Sequence, residues 1–351
     1  MIRTYTLTTA DRDRWRAVLP ASVAVLGSVE FVTISEQQYG GEGRLFVAEA
    51  PDAVLAYPFF LRPLQDLPFT TDFASGCFDI LTPPYTGPIG IGEWPDEAPR
   101  FYELFDQYCR EQRIVTEVAH LNPWTVPADA LDPSCIEMNR EIIYVDLTWS
   151  EEQIWTKSLS SDWRRQTKQS RAAGVRVRRA ETLEDVEAFH RLHTQTMDRR
   201  HALDRYYYPS GFFADIFTTM PESSFFVLAE YEERVVAGGL FFQDATDLYW
   251  DLSAADLDFA LVRPVNAYVY DTVTRALGQG MQRMTMGAGY EACDGVYRFK
   301  AGLSPLRAPF SMYKRVHEAA AYGLLQKAWS EHYPAAEPTG GFFPTYRSVA
   351  H

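Results

Sequence analysis

Two stretches of the chain carry the same pattern of apolar and polar positions. Residues Val47–Phe60 (VAEAPDAVLAYPFF) and Leu228–Phe241 (LAEYEERVVAGGLF) align without gaps, with Ala48/Ala229, Glu49/Glu230, Val54/Val235, Ala56/Ala237 and Phe60/Phe241 identical. Each reads as an apolar run, a short polar turn and a second apolar run. That pattern predicts a β-hairpin, turning at Pro51-Asp52 in the first copy and at Glu232-Glu233-Arg234 in the second. Behind each hairpin the pattern continues as strand, helix, strand. In the first half these segments are Cys77–Leu81, Pro99–Gln112 and Ile114–Val118; in the second they are Leu248–Leu252, Pro264–Gly278 and Met281–Met286. One order of elements used twice predicts a duplicated α/β domain. The alternative is chance similarity between two unrelated hairpins.

Between the halves, Ile142–Leu147 (IIYVDL) reads as a strand. Ser150–Ala173 has helical periodicity, with Ile154, Trp155, Leu159 and Trp163 on one side. The domain boundary is expected near Thr148, giving a first domain over 1–147 and a second over 148–330. A helix from about Glu184, with Thr182 as its cap, runs through Val186, Phe189, Leu192 and Met197. A last helix is expected over His317–Ser330. The tail that follows, 331–351, is rich in Pro and Gly but holds Phe342, Phe343 and Tyr346. It is therefore expected to dock, on the N-terminal domain.

Composition bounds the function. A chain of 351 residues holds about two domains of ~150 residues. Hydrophobic residues make up 46% and charged residues 23%, enough apolar material for packed cores. A net charge of −14 excludes a protein that coats DNA or anionic lipid with its whole surface. Cys77, Cys109, Cys135 and Cys293 show no CxxC spacing, so reduced thiols and a cytoplasmic setting are expected. Ala17–Gly27 after Arg12, Arg14 and Arg16 superficially resembles a secretory signal. Asp11 and Asp13 interleave those arginines, however, and no cleavage site follows. No apolar run reaches the ~18 residues of a membrane span.

The positive charge is concentrated. Lys157–Arg179 holds eight basic residues against one acid, Asp162. On a helix Arg164, Lys168 and Arg171 share a face, beside Arg165, which suits contact with phosphates; a solvated face is the alternative. His190 and His193 lie one helical turn apart without a third ligand nearby, so no metal site is expected.

Further along stands MGAGYEACDGVYRFKAGLSP, residues Met286–Pro305. Gly287, Gly289, Gly295 and Gly302 let backbone approach a ligand closely. Lys300, after Tyr297 and Phe299 in a strand-like stretch, is placed to stabilise an oxyanion; a surface lysine is the other reading. The glycine-rich turn that grips the pyrophosphate of coenzyme A at a helix start is missing from Leu261–Tyr270 (LVRPVNAYVY). Coenzyme A is therefore disfavoured, and no cofactor is expected. No Gly-x-Ser-x-Gly elbow or P-loop occurs.

These residues resemble the FemXAB-type aminoacyltransferases and their GNAT-like relatives. The resemblance lies in SDWRRQTKQSRAAGVRVR, in TMDRRHALDRYYYPSGFF (Thr196–Phe213), in the Pro264-Val265-Asn266 helix start and in MGAG followed by DGVYRFKAGLSP. In the first half, FDILTPPYTGPIG (Phe78–Gly90) and HLNPW (His120–Trp124) are similar to segments on the family's substrate side. The resemblance implies an α/β fold of two tandem GNAT-like domains, each a mixed twisted sheet flanked by helices. It implies transfer of an aminoacyl group from aminoacyl-tRNA to an amine on a peptide, a small molecule or a cell-wall precursor. Lys300 would stabilise the transfer intermediate, with Tyr297, Phe299, Trp250 and Asn266 around the substrate and Asp79 and Tyr85 facing the acceptor. Arg164, Arg165, Lys168 and Arg171 would meet the tRNA. The long helical arm of some cell-wall members is absent, and MGAG replaces the more usual triplet, so a specialised amine is at least as well supported as a cell-wall acceptor.

An aminoacyl ester is already activated, so the enzyme need only align an unprotonated amine and stabilise the tetrahedral oxyanion. Asp79 or Asp251 would accept the proton, unless the ribose hydroxyl relays it. Two other readings share the fold: N-acyl transfer from an acyl-CoA or carrier-protein thioester, and a binding module without activity.

Overall fold

The computed structural model describes residues 2–70, 74–95, 100–127, 130–209, 211–287, 295–334 and 342–348. Both predicted hairpins form. β2 (Glu42–Glu49) pairs antiparallel with β3 (Val54–Pro63), and β9 (Ser224–Tyr231) with β10 (Arg234–Gln243). The second hairpin turns on Glu232 and Glu233, both at positive φ, which gives the twist that a two-residue turn between right-twisted strands requires.

The chain divides into two compact units, Met1–Pro20 with Leu26–Asn139 and Phe310–His351, and Ala21–Val25 with Arg140–Pro309. In the first unit the strand order is β1 (Arg3–Thr8), β2, β3, β4 (Phe78–Leu81), β6 (Ile114–His120), β13 (Arg307–Val316), with β5 (Ile89–Ile91) paired to β3. In the second it is β8 (Arg176–Arg179), β9, β10, β11 (Asp247–Ala255), β12 (Arg283–Thr285), β7 (Ile136–Asp146). The two orders correspond strand for strand. Neighbours are antiparallel except β4 with β6 and β11 with β12, which are parallel. This is the expected mixed α/β architecture, with one strand order used twice.

The last strand of each sheet is exchanged along the chain. β7 follows β6 in sequence yet pairs with β12, and β13 follows β12 yet pairs with β6. The division between units therefore falls within β7 and β13, whereas the sequence places boundaries at Thr148 and Ser330.

Helices cover the sheets. In the first unit these are α1 (Arg12–Val18), α2 (Val29–Tyr39) and α3 (Phe101–Glu111). Phe101, Phe105 and Cys109 of α3 pack on Phe46, Tyr57 and Phe59 of the hairpin. In the second unit the Ser150–Ala173 stretch is broken rather than continuous. α4 (Glu151–Gln153) runs into a π-helical turn, Ile154–Ser158, and α5 (Ser161–Ala173) starts afresh. The break comes from Ser160, whose extended backbone lets its hydroxyl accept from the Trp163 N–H as an N-cap. α6 (Leu183–Arg199) starts with Thr182 in a capping box with Asp185, as the sequence predicts for its cap. α7 (Phe212–Thr219), α8 (Pro264–Ala276) and α9 (Gly295–Leu303) complete this unit. α8 buries Tyr268, Val269 and Val273 against Phe241, Leu248 and Trp250.

α10 (Ala319–His332) and the segment after it belong to the first unit. Tyr346 and Trp329 are fully buried with Leu64, Cys77 and Val115, and Tyr346 Oη lies 2.5 Å from Thr116 Oγ1.

Candidate functional site

Asp251 owes its position to a break in strand register. Leu240 of β10 lies opposite Leu252 of β11, and Phe241 lies opposite Trp250, so Asp251 has no cross-strand partner. Such a β-bulge re-aims the side chain it carries. Trp250 stays on the α8 side, with its ring edge toward Tyr268 at 6.1 Å. Asp251 is exposed to solvent on this bulge, with neighbouring protein crowding its carboxyl. Those surroundings push its pKa up to about 6, against the opposing pull of the Lys300 charge. The structure thus brings two of the expected catalytic residues into electrostatic contact.

Lys300 lies on α9, a helix rather than the strand-like stretch that the alternating Tyr297 and Phe299 predict. Helical hydrogen bonding and packing on α5 override that short alternation. Trp163 of α5 donates its indole N–H to the Phe299 carbonyl at 2.8 Å and lies ring to ring with Phe299 at 4.9 Å. The Ser160 N–H donates to the Gly302 carbonyl at 2.8 Å, and the Ser158 hydroxyl to the Leu303 carbonyl at 2.7 Å. Phe299 also meets Trp250, at 6.4 Å between centroids, beside Asp251. Tyr297 is tied differently: its hydroxyl accepts from Arg307 Nε at 3.0 Å. Gly289 and Cys293 lie outside the described residues.

Asn266 sits in the first turn of α8, 3% exposed, and its amide nitrogen has no hydrogen-bond partner among the described residues. A buried unpaired donor costs stability, so it marks a place where a ligand acceptor would be favoured. The turn into α8 uses Arg263 at positive φ, followed by Pro264.

The structure corrects the reading of Asp79. It is fully buried, with Arg62 Nε at 2.8 Å from one oxygen and Arg347 Nε at 2.9 Å from the other. Burial acts to raise its pKa, but Arg62 and Arg347 outweigh it and hold the carboxyl below its ordinary value. An acid so held neither faces an acceptor nor takes a proton. It ties the 342–348 segment to β4. Tyr85, in the loop after β4, stays partly exposed and packs on Phe310 at 5.3 Å.

The basic helix is also partly committed. Arg164 Nη1 donates to the Leu159 carbonyl at 2.6 Å and to the Trp155 carbonyl at 3.2 Å, closing the π-helical turn. It serves the fold rather than a phosphate. Arg165 pairs with Asp162 at 3.0 Å, Lys168 lies over Trp155 at 5.7 Å and Arg171 over Tyr270 at 5.0 Å, all three on the exposed face.

The paired histidines of α6 line an aromatic nest. His193 packs on Phe213 and Tyr208, and burial, with the His190 charge, pushes its pKa down to about 4. Among the described residues one trio has metal-ligating types in reach of one another: Cys109, Glu117 and His317, within 4.8 Å. His317 Nε2 already lies 2.8 Å from a Glu117 oxygen, so an ion would have to break that bond to enter.

Sequence reasoning missed the clamp on α9. Its signals were Trp163 on the inner face of α5 and Gly302, where a Cβ would stand 2.5 Å from Trp163 Cδ1.

Residues 132–234 match the model of the FemAB family. No curated protein matches the sequence. The fold is similar to the crystal structure of FemX, at TM-score 0.67 and 12% identity over 92% of this chain and 99% of that one. It is similar to the C-terminal domain of a proposed lysylphosphatidylglycerol synthetase from Agrobacterium fabrum, at TM-score 0.59 and 10% identity over 92% and 96%. A conserved protein of unknown function from Bacteroides thetaiotaomicron matches at TM-score 0.57 and 10% identity over 90% and 99%. The chain thus resembles the FemAB family in a sequence segment and FemX in fold. No helix among the described residues is long and apolar enough to cross a membrane.

Proposed function

We propose that the protein is an amide-forming acyltransferase that moves an aminoacyl group from aminoacyl-tRNA to the amino group of a peptide, small-molecule or cell-wall precursor acceptor. The observation that carries this reading is the β-bulge that frees Asp251 from cross-strand pairing within reach of the Lys300 charge, in a fold and a sequence segment that resemble the FemXAB type.

The amine nitrogen attacks the ester carbonyl, a C–N bond forms and the C–O bond to the terminal ribose breaks. Lys300 stabilises the oxyanion of the tetrahedral intermediate. Asp251 takes the proton from the attacking nitrogen and returns it to the leaving ribose oxygen; a carboxylate of pKa about 6 can do both near neutrality. Trp250 and Phe299 wall the site, and the Asn266 amide offers a donor to the donor substrate. Arg165, Lys168 and Arg171 give the RNA its positive face.

Incubation with charged total tRNA and a set of amine acceptors, read by mass, tests the reading. The expected product is an acceptor heavier by one aminoacyl group, with tRNA protecting the protein thermally in a salt-dependent way. Protection and turnover with acyl-CoA alone would overturn it.

A further inference from the structure

A pocket opens in the second unit between β8, β9 and the C-terminal half of α8, and shares no residue with the Asp251–Lys300 site. Phe225, Leu248 and Met281 give it an apolar wall, and Arg179, Asp271 and Arg275 give it charge. Arg275 is spent on Asp271, at 2.6 Å. Arg178, on the rim, is spent on Asp185 and Glu230, both at 2.6 Å. Arg179 differs. Its guanidinium carbon lies over Phe225, 4.0 Å from the ring centroid, and no carboxylate among the described residues reaches it as an ion pair. Burial and the neighbouring Arg275 both act against its charge, lowering its pKa, with Asp271 opposing them. Of the three guanidiniums that line the pocket, Arg178 and Arg275 face carboxylates, so the charge of Arg179 is left over.

We infer that the open mouth of this shallow pocket is a binding site for a phosphate group, held by Arg179 over Phe225, with Arg275, paired to Asp271, beside it. A singly charged phosphate cancels the excess charge and accepts the unused Arg179 donors in the bidentate manner guanidinium favours. The group comes either from a small phosphate ester or from a nucleic-acid backbone. The site stands independently of the aminoacyl-transfer reading.

The test titrates the full chain with inorganic phosphate, followed by the arginine Nε–H resonances and by thermal shift. The expected result is that Arg179→Gln weakens phosphate binding at least fivefold, while the melting temperature without phosphate stays at the parent value. Asp271→Asn, which removes the pocket's acid and releases Arg275, strengthens it about threefold. Adenosine monophosphate and a random-sequence RNA, used as competitors, assign the source: loss of RNA affinity with a flatter salt slope in Arg179→Gln points to the backbone, and loss of nucleotide affinity alone points to a small ester. Equal phosphate affinity in parent and Arg179→Gln overturns the site. Failure to transfer an aminoacyl group while phosphate binding still depends on Arg179 removes only the aminoacyl-transfer reading.

Discussion

Gly302 of α9 lies so close to Trp163 of α5 that a Cβ on it would stand 2.5 Å from Trp163 Cδ1 and 3.0 Å from Nε1. That contact, with the Trp163 hydrogen bond to the Phe299 carbonyl, fixes the helix that carries Lys300. Gly302→Ala must push α9 away from α5. Overpacking of this kind costs about 1–3 kcal/mol, and a displacement near 1 Å at a catalytic group costs about 10²-fold in rate. The expected outcome is a drop in kcat of that order with donor affinity close to the parent. Trp163→Phe, which keeps the ring and loses the hydrogen bond, should fall between. Single-turnover kinetics at saturating donor separates the two effects, and unchanged kcat in both variants would detach the clamp from catalysis.

Asp251 and Lys300 make a linked prediction in pH. A base must be deprotonated to act, so kcat/KM should rise with pH through an acid limb near 6. Lys300 lowers the Asp251 pKa; its removal should therefore move the limb upward. Lys300→Met is expected to lose about 10²-fold in turnover and to show this upward shift in what remains. Asp251→Asn should abolish the limb. A limb that stays in place in Lys300→Met would mean that the two groups act separately.

Asp79 is predicted to matter for folding, not for the acceptor. Asp79→Asn leaves Arg62 and Arg347 facing a neutral group in a buried site, and breaking such a pair costs about 3–5 kcal/mol. The folded-state pKa is held below the ordinary value. Its contribution is therefore present above the unfolded-state pKa of about 3.9 and is lost as pH falls through the folded one. Urea unfolding at neutral pH should show the loss, and the gap between parent and variant should close in acid. An acceptor KM raised tenfold in a variant of parental stability would return Asp79 to the acceptor site.

His317 carries the opposite sign. Burial acts to lower its pKa, but hydrogen bonds to Asp106 and Glu117 prevail and raise it to about 9. A raised folded-state pKa gives stability that is complete below the unfolded value of about 6.5 and is lost as pH climbs through 9. Melting temperature should thus decline between pH 6.5 and 9 in the parent. His317→Gln should start lower and show a flatter decline, and parallel curves would exclude this linkage.

The elements set by neighbouring residues were legible in the sequence. Both hairpins follow from alternation around a polar turn, the start of α6 from Thr182, and the order of elements in each half from periodicity alone, because these depend on contacts a few residues apart. The Lys300 segment, with Tyr297 and Phe299 beside it, was legible as a candidate site, though not as a helix. Tertiary structure decided what depends on distant partners. The exchange of β7 and β13 pairs strands far apart in the chain, and nothing local to either strand selects its neighbour. Asp79 reads as a site residue until Arg347 arrives from 268 positions away and neutralises it. The bulge that turns Asp251 toward Lys300 exists only in the register of β10 against β11. Hydrophobic pattern is a property of one segment, whereas register, burial and the pairing of charges belong to two.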